Sequence, residues 1–370
     1  MKRIFNPCLV FGILFLSISL RGGTGAEWQV PAAGHVLTFP KDHGSHPEFK
    51  IEWWYLTGHL FAGERRFGFQ ATFFRLGREL KKDPGGEDFG TAQFYLAHMG
   101  LCDPMTGAFF HEERLNRAGW DAGAKVGDLN LFNGNWSLRS SGTGMLLEGS
   151  IQAEVKLSLQ LEPVKGPVIF GEDGVSRKGP EGTAASYYIT YPRLKTSGTV
   201  SLEDGTFDVT GEAWMDHEIS SSQLDRNQIG WDWTCIQFLD GREIMGFVLR
   251  TEEGEPSEYS RLVWIDRNGG LTSQELGRYE WRHEGAWTSP ETEATYPITP
   301  LILTLDPESG RERRFRLRPL LEAQEMVGTA GGVSYWEGAC DVLDEDTGKN
   351  VGRAYLEMTG YADNVGEKLR

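Results

Sequence analysis

The sequence predicts an all-β chain of two barrels in tandem behind a cleaved export signal. Three observations carry this: apolar and polar residues alternate with period two, one stretch echoes another at constant spacing, and the first 26 residues have the layout of a leader. The 370 residues include 47 Gly, 16 Pro and 12 Trp, a composition of many turns and large flat side chains.

The alternation is cleanest at Ile151, Ala153, Val155, Leu157, Leu159 and Leu161, with Gln152, Glu154, Lys156, Ser158, Gln160 and Glu162 between them. Side chains alternate across a strand, so this pattern buries one face and wets the other. Phe67, Phe69, Ala71 and Phe73 repeat it. Asp204-Gly205, Asp240-Gly241 and Asn268-Gly269 read as hairpin turns. The charged, Gly/Pro-rich stretch 81–88 reads as a loop. The stretch 163–184 reads as a longer, mobile cover or entrance loop.

The echo pairs Trp53, Tyr55, Leu60, Gly63, Gly68 and Phe69 with Trp231, Trp233, Phe238, Gly241, Gly246 and Phe247, every pair 178 residues apart. Gly211, Ala213 and Trp214 fainter-echo Gly352, Ala354 and Tyr355. Duplication of one β-unit accounts for both. It places a first domain at 39–219 and a second at 228–365, with Ser220-Ser221-Ser222-Gln223 as a polar linker.

Lys2 and Arg3 precede an apolar run over 9–20 and small residues ending Thr24-Gly25-Ala26, the layout of a secretory signal (1–26) cut before Glu27. The run is short of the roughly 20 residues a spanning helix needs. The expected location is secreted or periplasmic. Formal net charge is −16; loss of Lys2, Arg3 and Arg21 leaves 34 basic against 53 acidic side chains, or −19. Such a surface repels phosphate backbones, so nucleic acid is excluded as a partner. Cys102, Cys235 and Cys340 remain after cleavage, which allows at most one disulfide.

Four polar-aromatic clusters stand out: Asp42-His43-Gly44-Ser45-His46 with Glu52-Trp53-Trp54-Tyr55; Ser186-Tyr187-Tyr188 to Arg193; Trp214-Met215-Asp216-His217-Glu218 with Trp231-Asp232-Trp233; and Tyr335-Trp336-Glu337. On a strand, Asp216 and Glu218 share a face with Trp214, and His217 points the other way. Carboxyls beside an aromatic wall can gain a raised pKa and serve as general acid. A structural ion pair with Arg193 is the competing reading. His43, His46, Asp42 and Glu52 offer ligands of the type zinc or iron takes. They sit on a turn-like segment, however, and no metal is expected. No Gly-x-Ser-x-Gly elbow, phosphate loop or dinucleotide fingerprint occurs, and no cofactor is expected.

Taken in order, these clusters resemble the AttH/CrtC-like family: 39–48, 52–58, 67–75, 188–194, 214–218, 230–233 and 335–338 all carry the likeness, across about 39–361. The resemblance implies two tandem lipocalin-like β-barrels and export. The family includes carotenoid 1,2-hydratases, which add water to an isolated double bond, and many members described only as secreted hydrolases. Fungal cyclisation enzymes related in fold use the pocket between the barrels. The expectation is therefore a protein that binds an apolar lipid or isoprenoid, with acid-catalysed hydration of that ligand as the enzymatic reading. A secreted hydrolase, and a non-catalytic carrier or partner of a membrane export system, are the alternatives. Asp216 or Glu218 would be the acid and His217 would orient it or the water. Trp54, Tyr188, Trp214 and Trp231 would form the wall, with His43, Glu52, Arg193, Tyr335 and Trp336 completing the ligand contacts.

Overall fold

The structure, a computed structural model, describes residues 27–78, 93–180, 182–329 and 333–368. The expected signal and the 81–88 loop lie outside these residues.

Two large antiparallel sheets dominate the described chain, beside a small two-stranded sheet of Trp287–Thr288 and Thr295–Tyr296. The first runs in the order Ala108–Arg117, Gln93–Asp103, Arg65–Gly77, Ile51–Ala62, Gly205–Ser222, Ala185–Leu202, Val155–Pro163, Gly144–Ile151, Trp136–Ser141, Asn130–Asn133, Ala122–Ala124. The second begins at Gln228–Phe238 and ends its chain at Asn350–Met358, and these two strands are hydrogen-bonded neighbours at its centre. Each sheet curls into a nearly closed lipocalin-like barrel. In the first, side chains close the seam that backbone pairing leaves open: Asn133 Nδ2 donates to Tyr95 O (3.1 Å) and Asn116 Nδ2 donates to Asn133 Oδ1 (2.6 Å). In the second, Gln274 Nε2 donates to Leu305 O at 2.6 Å. Closure removes the exposed edges that a free sheet would present.

Alternation decides where each side chain goes. Phe67, Phe69, Ala71 and Phe73 point into the first barrel with Trp54, Leu56, Leu157, Leu159 and Leu161. Phe238, Trp264, Phe315 and Trp336 fill the second. A third apolar cluster, including Tyr55, Tyr188, Trp214, Trp233, Cys235, Phe247 and Tyr355, lies between the barrels. Among the described residues, Cys102, Cys235 and Cys340 are buried and unpaired.

Three local expectations need correction. The alternation over 151–162 crosses a hairpin: Ile151 pairs with Val155, and Gln152 and Ala153 take positive φ, at 49° and 60°. No Gly, Asn or Asp marks this turn, so the pattern runs through it unbroken. Ser220–Ser222 is the end of a strand rather than a linker, with Ser220 Oγ donating to Ala185 O at 2.6 Å. The 163–184 stretch is partly ordered into sheet, because Val168–Phe170 and Ser176–Arg177 pair with Ala185–Leu202.

The echo is also refined. Trp53 and Trp231 stack on each other, with centroids 6.4 Å apart and planes at 13°. Tyr55 meets Trp233 edge-on at 5.1 Å, and Thr57 Oγ1 lies 3.8 Å from Cys235 Sγ. Residues 178 apart thus meet face to face across a pseudo-twofold axis. Beyond the turn the spacing changes. Register puts Thr72 opposite Tyr55 but Phe247 opposite Trp233, an offset of 175. Gly68/Gly246 and Phe69/Phe247 are therefore not structural equivalents: Phe69 points into its barrel and Phe247 into the interface.

Candidate functional site between the barrels

The outer faces of the two central strand pairs and their neighbours line a cleft between the barrels. Trp53, Phe74, Leu96, Trp231, Trp233, Phe247 and Leu249 make most of the wall apolar. Polar groups reach it from Asp216, Glu218, Glu357, Lys178, His98, Tyr55, Tyr188 and Tyr335, with Thr72, Gln223 and Thr359 beside them. An apolar cleft with a few convergent polar groups is the usual form of a small-molecule site.

Asp216 is 2% exposed. Its Oδ1 accepts from Trp214 Nε1 (2.7 Å) and Thr190 Oγ1 (2.5 Å), and its Oδ2 from the Tyr188 hydroxyl (2.7 Å). Tyr188 Oη in turn accepts from Trp233 Nε1 of the second barrel at 2.9 Å. Burial drives the Asp216 pKa up; the donors pull it back, and the balance leaves it pushed up to about 7. Glu218 accepts from Ser186 Oγ and pairs with Lys178 Nζ at 3.2 Å. Lys178 comes from the 163–184 stretch and lies 4.9 Å from the Tyr188 ring and 4.5 Å from Phe247. That stretch thus reaches the cleft.

The second barrel supplies the matching half. Offset 141 takes Trp214 to Tyr355 and Asp216 to Glu357, and register agrees: Tyr55 faces Asp216 while Trp233 faces Glu357. Glu357 stands directly across from Glu337. Burial pushes Glu357 up to about 8 despite a hydrogen bond from Trp231, and burial with the Glu357 charge pushes Glu337 well above the carboxylate range. Two buried carboxyls at one register position cannot both ionise, so the pair retains a proton near neutrality. Tyr55 donates its hydroxyl to Glu337.

Of the residues expected from sequence, Asp216, Glu218, Tyr188, Trp231 and Tyr335 line the cleft, and Trp214 backs Asp216. The others lie elsewhere. His217 points into the first barrel, stacked on Trp54 at 4.6 Å, with Nε2 2.9 Å from Glu52 Oε1. His43, Glu52, Trp54 and His217 belong to a plug where the Lys41–His43 turn enters that barrel: His43 Nε2 lies 2.9 Å from Tyr191 Oη, and Trp54 Nε1 donates to His43 O. Arg193 joins the barrels through Glu243 (2.8 Å) and Glu212 (2.6 Å), not through Asp216 or Glu218. Trp336 lies inside the second barrel and donates to Glu322 O.

His46, Glu52 and His217 hold donor atoms within 4.8 Å of one another, the spacing of a possible metal site. Arg75 Nε, however, lies 2.9 Å from Glu52 Oε2 and places a positive charge beside that carboxylate. Burial alone would raise the Glu52 pKa; hydrogen bonds from His217 and His46 and the Arg75 charge overcome it and hold it far below the usual range. The arrangement fits a hydrogen-bonded anchor better than a cation site.

Reasoning from the sequence missed His98, Lys178 and Glu357. For Glu357 a signal was present, since extending the fainter echo by two residues past Trp214/Tyr355 pairs Asp216 with it. His98 and Lys178 carry no such mark.

Fold and site together define a tandem lipocalin-like protein with a carboxyl-bearing apolar cleft between its barrels. The chain belongs to the AttH-like family, whose match spans residues 30–361. A protein of Nitrosomonas europaea carrying the AttH designation superposes with a TM-score of 0.78 at 32% identity, over 89% of this chain and 98% of that one. Kievitone hydratase from Nectria haematococca shares the fold at 13% identity, with a TM-score of 0.65 over 91% and 96% of the two chains. CghA crystallised with Sch210972 does so more distantly, at 11% identity and a TM-score of 0.50 over 90% and 95%. A search of curated proteins by sequence found no match.

Proposed function

We propose that the protein is a hydratase-type enzyme that adds water to an isolated double bond of an apolar, isoprenoid-like molecule held between the barrels. The observation that carries this is the Asp216 carboxyl: it is buried, faces an apolar cleft and is poised near neutrality. Protonating an unactivated alkene needs an acid whose proton is present at working pH, and general acids work best with a pKa near that pH. The tertiary cation that results would be stabilised by the faces of Trp53, Trp231 and Trp233. The fold shared with kievitone hydratase supports the reading. Hydration is preferred to hydrolysis because the aliphatic hydroxyls beside the acids, Ser186 Oγ and Thr190 Oγ1, donate to Glu218 and Asp216 and not to a histidine. Export belongs to the same reading, and N-terminal sequencing of secreted protein beginning at Glu27 would support it.

The test incubates purified protein with short prenyl alcohols bearing trisubstituted double bonds, in heavy-oxygen water. The expected product gains one labelled water, and D216N lowers kcat by about 100-fold or more. Binding of the probes with no product would favour a carrier instead.

A further inference from the structure

A second chain of polar groups reaches the same cleft and joins the two barrels. Tyr335 opens the strand Tyr335–Asp344 of the second barrel; His98 lies on Gln93–Asp103 of the first. The Tyr335 hydroxyl oxygen lies 2.6 Å from His98 Nδ1. His98 Nε2 lies 2.9 Å from Glu113 Oε2, and both side chains are buried. Glu113 Oε1 accepts from the backbone N–H of Thr329 at 3.0 Å, which fixes the carboxylate. A carboxylate on Nε2 holds the imidazole proton there and leaves Nδ1 as acceptor, so the Tyr335 hydroxyl donates to His98. This is the carboxylate–imidazole–hydroxyl order that activates a hydroxyl in covalent catalysts.

We propose that Tyr335, polarised by His98 and Glu113, is the catalytic residue that takes the proton from the water added to the substrate. The proposal rests on the hydratase reading. Asp216 gives its proton to one alkene carbon, and the π pair becomes the new C–H bond. The water oxygen then bonds to the cationic carbon. Its proton passes to Tyr335 Oη while the Tyr335 proton moves to His98 Nδ1. The cycle leaves Asp216 ionised and His98 protonated beside Glu113, and exchange of one proton with solvent resets both. Burial, the Glu337 charge and a hydrogen bond with the Glu337 side chain push the Tyr335 phenol well above its ordinary value, so it relays the proton and does not store a negative charge. Glu337, itself held protonated by burial, can donate that bond and leave the Tyr335 hydrogen to His98. His98 and Glu113 are positioning residues that act through it.

The pseudo-symmetry sharpens the assignment. Thr190 stands opposite Asp216 and Glu337 opposite Glu357, so Tyr188 and Tyr335, each two residues earlier, are counterparts. Tyr188 holds the acid; Tyr335 points to a histidine instead. The pseudo-symmetry thus places one tyrosine in each barrel, and the two have different partners.

The test has two arms, with the same prenyl alcohols as probes. In the first, Y335F and H98Q each lower kcat by about 100-fold, with KM within about twofold. In the second, NMR of protein labelled with heavy nitrogen at histidine reads the His98 tautomer without substrate. The proton is expected on Nε2, and E113Q is expected to weaken that preference. Hydration by wild type with Y335F undiminished overturns the relay while leaving the hydratase reading intact. A wild type that hydrates no probe overturns the hydratase reading. In that case an Nε2 proton still supports the polarised hydroxyl, and an Nδ1 proton overturns it.

Discussion

Replacing Asp216 by Asn gives a stability test that needs no substrate. The Asp216 carboxyl is pushed from 3.8 up to about 7 by burial. The folded state therefore holds its proton more tightly than the unfolded chain does. The resulting stabilisation is full below pH 4 and is lost as pH rises through about 7. At about 1.36 kcal/mol per pH unit, the gap amounts to about 4 kcal/mol. Asn cannot ionise, so D216N lacks this slope. Its amide oxygen can still accept from Trp214 and Thr190, but its NH2 group faces the Tyr188 hydroxyl, which loses its acceptor. That lost bond costs about 1–3 kcal/mol at every pH. D216N should thus be less stable than wild type at pH 4 and equal or more stable at pH 8. Urea denaturation at a series of pH values reads the difference, and groups titrating elsewhere cancel between the two proteins. Part of the Glu357 shift comes from the Asp216 charge, so a small relief there adds to the effect in the same direction. Parallel stability curves for the two proteins would refute the claim that Asp216 is held protonated by burial.

Three further outcomes follow from the same geometry. Arg75 is fully buried against Glu52, so E52A should cost about 3–5 kcal/mol by leaving a guanidinium uncompensated; denaturation measures this, and the wild-type share should fade as pH falls below the usual carboxylate range, because the Glu52 pKa is depressed. A Cβ on Gly68 would lie 2.4 Å from the Ala339 Cβ of the other barrel, so G68A should lower stability by about 1–3 kcal/mol, read as a drop in Tm. Trp53 and Trp231 stack at the cleft, with Trp233 beside them, so an apolar probe bound there should change tryptophan fluorescence, and W231F should reduce the change.

Much of the architecture was legible because strands have a period of two. That period sent Phe67, Phe69 and Phe73 into a barrel, and it set Asp216 and Glu218 on one face with His217 on the other. It could not say which face met a partner barrel. Asp216 and His217 are adjacent in sequence, yet one faces the cleft and the other the interior plug. Proximity in the chain therefore overestimated the site by drawing His43, Glu52 and Trp54 into it. The alternation also ran through the turn at Gln152 and Ala153, because nothing in their residue types marks a reversal.

By itself the sequence determined strands, turns and a repeat, since these depend on neighbours a few residues apart and on spacing along the chain. The tertiary structure alone decided the site. The cleft exists because two barrel exteriors meet about a pseudo-twofold axis, bringing Tyr335 to His98 and Trp233 to Tyr188 across large separations in sequence. Only that meeting removes Asp216 and Glu357 from water, and it is the removal from water that turns two ordinary carboxylates into groups that hold a proton near neutrality.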